Sequence, residues 1–511
     1  MTQLKTPDDA KRVRVSTGSR ITRRVLAGIA LWLAATVVIT TVVPPPTAVG
    51  IAGAPRVATE FSVLTDDSWL NAAGERELEQ SIFDSLFASI ERAQRYIYLD
   101  LFLFNDWQGP IPETTRALSA ELTAQLVAAT QRTPAPRIVL ITDPINTVYG
   151  GIGSPHLQQL RAAGVEVALT DLVQLQDSNP LWSSLWRWLI RPFGNTEGLE
   201  TVPNPMTTGR VSIRSWLALL NFKANHRKLA VFDDPERDAL VAMVMSANPH
   251  DGSSAHRNMA FRVSGPVVHD LLQAERQVPG MAAQPAAQQI VDDMISLAAE
   301  ETPESINDRI GEAVNDGQTT VSLVNESAIR SVVVDTVNGA QAGDAVNLEM
   351  FYLSDRQVVT ALGDAAHRGV VVRALLDVNS DAFGRAKNGV PNVPVAHELT
   401  QAGVTVRWCA TAGEQCHVKW FHARIGERHS VVSGSGNFTR RNLADFNLES
   451  NLLLRTHADD ANLQQMLTRF ERQWRNEPGR TYSIPYADNA KNSLWLSAQY
   501  RFMEATGLGT F

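Results

Sequence analysis

The sequence predicts an α/β protein made of two duplicated units with mixed, mostly parallel sheets, preceded by one N-terminal apolar helix. Three observations carry this: an uncharged apolar run near the N-terminus, a set of strand and helix patterns that occurs twice, and a His-x-Lys pair in each copy. Of 511 residues, 44% are hydrophobic and 20% charged, which supports a sizeable core and excludes disorder, collagen-like repeats and a polytopic membrane protein. The net charge of −8 is uneven, because residues 1–24 carry seven Lys and Arg against two Asp, which leaves −13 for the rest. So acidic a body lacks the electrostatic footprint of a general nucleic-acid binder, and no nucleic-acid partner is expected. Two cysteines exclude a disulfide-dense scaffold and a four-thiolate zinc site.

Residues 25–43 (VLAGIALWLAATVVITTVV) have no charge and end at Pro44. That length spans a bilayer as a helix, and the basic residues 1–24 before it predict a cytoplasmic start. An uncleaved anchor leaves the body membrane-attached, whereas a cleaved signal segment, with small residues around Ala48 to Ala54, leaves it secreted. Both readings export the body, and residues 44–60 read as a Pro-rich linker. In an exported body Cys409 and Cys416 either close a short disulfide loop or stay as two thiols.

Beyond the linker the chain repeats itself. YIYLDLFLF, RIVLITDPIN and LRAAGVEVALTD in the first copy match AVNLEMFYL, VVVRALLDVNS and LTQAGVTVRWCA in the second. Glu349 follows Asp100 by 249 residues, Asp377 follows Asp143 by 234 and Gly403 follows Gly164 by 239. Strands alternate with helices in each copy, the pattern of helix-covered sheets. The expected boundaries are 61–275 for the first unit, 276–325 for a helical or irregular linker, and 326–511 for the second unit with a C-terminal tail packed on it.

Each copy then carries chemistry. The first has His226, Lys228 and Asp233, followed by Ser246 and Asn248. The second has His417 and Lys419, followed by Ser435, Asn437 and Glu449. On a strand, H-x-K puts both side chains on one face, and a Ser-x-Asn from the next strand completes a set of donors suited to an oxyanion such as phosphate. A lone H-x-K is commonplace, but two in matched frames are not. No phosphate-binding Gly-rich loop, H-E-x-x-H or G-x-S-x-G elbow is present.

NHRKLAVFDD and GSGNFTRRNLADFNLES resemble the phospholipase D superfamily, whose signature is H-x-K-x4-D followed by G-[SG]-x-N, usually twice. The resemblance covers most of residues 60–511. It implies two α/β/α units facing each other, with both H-x-K motifs meeting in one site at a pseudo-two-fold axis. It also implies hydrolysis or transfer of phosphodiesters through a phosphohistidine, with neither metal nor cofactor. Two departures stand out: Arg424 replaces the second motif Asp, and laying HRNMAF over DFNLES sets Ala260 opposite Glu449.

The expected chemistry uses Lys228, Lys419, Asn248 and Asn437 to hold the non-bridging oxygens. One imidazole attacks phosphorus and the other protonates the leaving alkoxide. A Glu449 placed behind His417 would favour its imidazolium, making His417 the acid and His226 the nucleophile. The partners expected are a phospholipid, a membrane surface, and water or an alcohol as acceptor. Alternatives are a phosphatidyl transferase resembling cardiolipin synthases, a superfamily nuclease, and a catalytically silent tethered binding protein.

A Trp-rich insertion at 177–220 has no counterpart in the second copy. Its helix, capped by Ser178 or Asn179 ahead of Pro180, places Leu181, Trp182, Leu185, Trp186 and Leu189 on one face and Ser183, Arg187 and Arg191 on another. That apolar face either packs inward or dips into a bilayer.

Overall fold

The computed structural model describes residues 17–42, 50–300 and 318–511, apart from 58, 110, 111, 113, 114, 279, 383, 384 and 510. Most of the basic segment, residues 44–49 of the Pro-rich linker and residues 301–317 of the expected inter-unit linker lie outside the described residues. The apolar run forms part of α1 (Thr17–Val42), of which Thr22–Ile39 is long and apolar enough to cross a membrane.

The first half of the chain has β1 (Arg56–Val57), β2 (Glu60–Leu70), β3 (Arg76–Glu79), β4 (Tyr96–Leu101), β5 (Arg137–Thr142) and β6 (Glu166–Leu169). A small ribbon, β7 (Val202–Pro203) with β8 (Arg210–Val211), precedes β9 (Lys228–Asp234), β10 (Ala239–Met245) and β11 (Asn258–Ser264). One eight-stranded sheet runs β3-β2-β11-β10-β9-β4-β5-β6. Its helices are α2 (Ile82–Arg92), α3 (Leu118–Thr130), α4 (Pro155–Ala162), α5 (Pro180–Leu189), α6 (Ile213–Leu219), α7 (Pro266–Glu275) and α8 (Pro285–Glu300).

The second half has β12 (Thr320–Val324), β13 (Ala345–Met350) and β14 (Val371–Leu376), then a ribbon of β15 (Asp381–Ala382) and β16 (Arg385–Ala386). It continues with β17 (Thr405–Cys409), β18 (Lys419–Ile425), β19 (Arg428–Gly434), β20 (Asn451–His457) and β21 (Ser483–Pro485). The sheet order is β1-β12-β20-β19-β18-β13-β14-β17-β21. Its helices are α9 (Glu326–Gly339), α10 (Arg356–His367), α11 (Asn392–Gln401), α12 (Arg440–Leu443), α13 (Ala461–Arg475) and α14 (Leu494–Thr506).

The duplication is visible in the register, since β4 pairs Leu101 with Lys228 and β13 pairs Met350 with Lys419. Both sheets are mixed, but the expectation of mostly parallel pairing needs correcting. Among the described strands, parallel pairs occur only in β4-β5-β6 and β13-β14-β17. The cause is local, because short turns join β9 to β10 and β18 to β19, and such turns make hairpins.

Strand alternation builds the layers. Ile97, Leu99 and Leu101 of β4 face α2, α3 and α4, while Tyr98 faces the opposite side. That opposite side meets α7, α8, α13 and the inner face of the second sheet in one continuous core. Helices α9, α10, α11 and α14 cover the second sheet's outer face. The segment expected to be a linker therefore supplies core: Ala287, Ile290, Val291, Met294 and Ala298 on one stripe of α8 are buried, and β12 is an internal strand.

The apolar face of the insertion helix is only partly turned inward, with Trp182, Leu185 and Trp186 half-buried. Ser183 and Ser184 are its buried residues, whereas Leu181 and Leu189 are exposed. Two serines let the helix approach closely, and Arg187 is held inside by Asp177 at 3.1 Å and the Val173 carbonyl at 3.1 Å. In the C-terminal tail only one face packs as expected, with Tyr500 and Glu504 buried but Leu494, Trp495 and Phe502 exposed.

Candidate active site

His226 and Lys228 lie at the start of β9, and His417 and Lys419 at the start of β18. Strand periodicity puts each pair on one face, and both histidines line one cavity of about 470 Å³. Phe102, Phe351, His226, His417, Asn248 and Asn437 line it. Each lysine donates to its own histidine's carbonyl, Lys228 at 2.6 Å and Lys419 at 2.7 Å. Each ammonium also sits over a phenyl ring, Lys228 over Phe102 at 5.0 Å and Lys419 over Phe351 at 5.3 Å.

Each histidine is held by the opposite half of the chain. The His226 N–H donates to the Leu448 carbonyl at 2.9 Å, and the His417 N–H to the Arg257 carbonyl at 3.0 Å. The rings follow the same exchange: His226 Nδ1 meets Glu449 Oε2 at 3.0 Å, and His417 Nδ1 meets Asn258 Oδ1 at 3.1 Å. The expectation that Glu449 backs His417 is thus corrected. Glu449 reaches across the interface to His226.

The sequence overlay of Ala260 on Glu449 is corrected too. The Ser246 N–H donates to the Met259 carbonyl and the Ser435 N–H to the Ser450 carbonyl, so Asn258 is the counterpart of Glu449. The serine hydroxyls behave alike, donating to Asn258 Oδ1 at 2.9 Å and to Glu449 Oε2 at 2.5 Å. Ser246 and Ser435 therefore sit behind the histidines' partners, fully buried, and hold them in place. The missed signal was in the spacing. Serine to partner is 12 residues in the first copy and 14 in the second, the reverse of the histidine-to-serine difference of 20 against 18.

Asn258 presents its oxygen to His417 because its amide nitrogen is committed to the His256 carbonyl at 3.0 Å. His417 therefore donates through Nδ1 and turns Nε2 to the cavity; His226 does the same against the carboxylate. Asn442 also donates to Glu449. Asn248 accepts from the Leu103 N–H at 3.3 Å through its oxygen, which leaves its amide nitrogen for the cavity.

Burial dominates the electrostatics. It lowers the His226 imidazole to about 4, with Lys228 and Lys419 adding to the effect and Glu449 opposing it. His417 is pushed well below the usual histidine range by burial and then by Lys419. Lys228 is lowered to about 7, chiefly by burial, and Lys419 well below its ordinary value by burial and Lys228. Burial alone would raise the Glu449 carboxyl, but His226 and Lys228 reverse this and keep it ionised. Two lysines and two imidazoles thus crowd around one carboxylate, an arrangement that an arriving anion relieves.

Asp233 does not join this site. It accepts from the Gln94, Arg95 and Tyr96 N–H groups at 3.1, 2.9 and 2.7 Å, at the other end of β9 from Lys228. Five residues along a strand are roughly 17 Å. Arg424 occupies the same place in the second half, where it donates to the Gly343 carbonyl at 2.7 Å. The neighbouring Asp344 there accepts from the Gln341 and Gly426 N–H groups. The Arg424 departure from the signature therefore concerns a turn far from the histidines.

Asp143 and Asp377 aim the motifs. They accept the N–H of Asn225 at 2.7 Å and of Cys416 at 2.8 Å, each one residue ahead of its histidine. Cys416 is bridged to Cys409. Several cavity-lining cations escaped the sequence reading, since single basic residues outside a repeated motif carry no pattern. Lys387 donates to the Tyr352 hydroxyl at 2.8 Å, and Arg441 donates to the Gly509 carbonyl at 3.1 Å. His256, also in the wall, has its ring 5.9 Å from that of His417.

Parts of this chain are similar to a known family model and to solved structures. Residues 333–474 match the family model described as "Cardiolipin synthase, PLD-like domain". Among solved structures, phosphatidylserine synthase from Haemophilus influenzae Rd KW20 is similar at 10% identity, over 89% of this chain and 95% of that one, with a TM-score of 0.47. The phospholipase D family member Nuc from Salmonella typhimurium is similar at 17% identity, over 32% of this chain and 97% of that one, with a TM-score of 0.26. Yeast tyrosyl-DNA phosphodiesterase is similar at 10% identity, over 78% and 90% of the two chains, with a TM-score of 0.38. No curated protein sequence matches. What the comparisons show for this chain is a match of residues 333–474, in its second half, to a phospholipase D-like domain.

Proposed function

We propose that this protein is a phosphodiesterase of phospholipase D type that acts on phospholipids through a phosphohistidine intermediate. The observation that carries the reading is the reciprocal one: two buried histidines, each oriented by the other half, line one cavity, and each has its motif lysine bonded to its own carbonyl. The cavity's aromatic and aliphatic lining, which includes Tyr149, Trp216, Leu219 and Phe222, suits an amphiphile better than a polyanionic strand. The proposed division is 61–275 for one unit and 326–511 for the other, with α8 counted in the first core.

His226 is the proposed nucleophile, on grounds different from those the sequence suggested. Its Nδ1–H is held by Glu449, which fixes the tautomer that leaves the Nε2 lone pair free. As Nε2 bonds to phosphorus the ring becomes positive, and the Glu449 carboxylate balances it. His417 is the proposed acid. Asn258 orients it without supplying a countercharge, so a proton taken up at Nε2 in the presence of the anionic diester is readily passed to the leaving alkoxide. The P–O bond to the alkoxide breaks as the N–P bond forms. His417, now neutral, then takes the proton from water or an alcohol, whose oxygen displaces His226 from phosphorus.

Lys228, Lys419, Asn248 and Asn437 hold the non-bridging oxygens throughout. Positive charge and a nitrogen nucleophile already fill the roles that a cation would serve, so turnover is expected to survive chelation. Complete loss on chelation, restored by one divalent ion, contradicts the mechanism. The deciding experiment is trapping of ³²P-labelled phosphatidyl phosphorus on the enzyme, with peptide analysis kept at alkaline pH, where an N–P bond survives and acid treatment releases it: the label belongs on His226. Product analysis with and without added glycerol separates hydrolysis from transfer.

A further inference from the structure

We infer that the C-terminal helix α14 and the insertion helix α5 form a two-part seat on the outer face of the bilayer that holds α1, one part on each side of the cavity mouth. The inference rests on the lipid reading for its purpose but on separate observations for its geometry. Helix α14 has one buried face: the Tyr500 hydroxyl donates to the Ser354 carbonyl at 2.8 Å, and Glu504 accepts from the Ser354 hydroxyl at 2.8 Å and the Arg440 N–H at 3.0 Å. Its other face is large and apolar, with Leu494 87% exposed, Trp495 74% and Phe502 58%. Helix α5 with the turn after it exposes Leu181 at 66%, Trp188 at 55% and Phe193 at 70%. Single exposed apolar residues are ordinary on proteins, whereas clustered Trp, Phe and Leu mark an interaction surface.

The two faces belong to one rim. Gly507, just after α14, lies so close to Ser178 that a Cβ there would stand 2.2 Å from the Ser178 carbonyl oxygen. Farther along, Gln499 of α14 accepts from Asn388, the neighbour of the cavity-lining Lys387. On the other side, Trp182 donates to the Leu217 carbonyl at 3.1 Å and so ties α5 to α6, whose Trp216 and Leu219 line the cavity.

The occupant is indicated by α1. Trp32 of α1 packs edge-on against Trp188 of α5, ring centroids 6.4 Å apart, which brings the exposed face of α5 beside the apolar span. Trp32 lies seven residues before Ile39, the end of that span, or roughly 10 Å along a helix. Interfacial helices bury their apolar face to about that depth, 5–10 Å into the headgroup and acyl boundary. Exposed Arg191 beside Phe193 and half-exposed Arg501 beside Phe502 add the Trp-and-Arg character of such a boundary.

The test uses the full chain in nanodiscs of phosphatidylcholine and phosphatidylglycerol. Because Cys409 and Cys416 are bridged, a fluorophore can be placed selectively on Trp188→Cys, Trp495→Cys or, as a control on a distant turn, Asp238→Cys. Lipids brominated near the headgroup end of the chain should quench the label at 188 and 495 about five-fold more than at 238, as expected for shallow insertion. A second variant, Leu494→Ser with Trp495→Ser, should lose about ten-fold in turnover of vesicle phospholipid and nothing on a soluble short-chain diester. Quenching at 495 no greater than at 238 overturns the inference, and so does protection of that label by a second copy of the chain without lipid quenching. If neither substrate is turned over, the functional reading fails while quenching still decides the seat.

Discussion

The two halves present their histidines in the same way and support them differently. Backbone bridge, lysine, serine and Ser-x-Asn strand superimpose in role, yet one ring leans on a carboxylate and the other on an amide. A symmetric frame with one asymmetric residue shows how duplication can yield two unlike roles. Geometry is shared, and one residue behind each ring sets its chemistry. In the proposed mechanism the pair Glu449 and Asn258, rather than the histidines, distinguishes nucleophile from proton donor.

The largest effects should come from the rings themselves. His226→Ala and His417→Ala should each lower turnover of a natural diester by about 10³-fold or more, since neither role has a substitute. On a nitrophenyl diester, whose leaving group needs no proton, His417→Ala should regain most of that loss and His226→Ala none. Equal recovery by both, read as initial rates, would reverse or erase the assigned asymmetry. Removing the supports comes next. Glu449→Gln should cost about 100-fold and Asn258→Ala about 10-fold, bracketing what outer-layer partners usually contribute. An Asn258→Ala loss as large as that of Glu449→Gln means the two supports are equivalent.

A smaller effect concerns pH. Lys228 titrates near 7 in the empty site because burial disfavours its charge. Below that value it is protonated and attracts an anion; above it one positive charge is lost. Inhibition by inorganic phosphate should therefore weaken as pH rises through about 7 to 8, by up to ten-fold per pH unit. A flat profile by calorimetric titration removes the lysine from the anion site. The smallest effects on turnover belong to the far ends of β9 and β18. Asp233→Ala should lower stability by about 1–3 kcal/mol, having left three backbone donors without their acceptor. Arg424→Ala should change it by less than about 0.5 kcal/mol. Both should keep normal kcat per folded molecule, and a kcat loss for Asp233→Ala that exceeds its loss of folded protein would restore it to the site.

Much of this was legible in the sequence because it is written in local periodicity. The H-x-K spacing, the repeat offsets and the apolar N-terminal run each depend only on neighbours along the chain. What stayed hidden depends on partners far away in sequence. Glu449 lies 223 residues from His226, and nothing local says which ring a carboxylate will reach. Asp233 is part of a signature, yet its place at the far end of a strand became visible only once β9 was laid against β4. The orientation of α5 stayed open in the sequence because periodicity identifies faces without saying which one turns inward. Two serines buried under α5 invert the usual rule, and the neighbouring α1 helps explain why the apolar side is left outside.

The crossed backbone bridges have a consequence for how the molecule comes into being. While a first half is being made alone, His226 has no carboxylate at Nδ1, no carbonyl for its N–H, and no second lysine beside it. The same is true of His417 until Arg257 and Asn258 are in place. Reactivity is thus the last property the chain acquires, arising when the halves dock rather than when either folds. Inheritance feels the same coupling, because a change at residue 258 or 449 is registered by a histidine encoded in the other half.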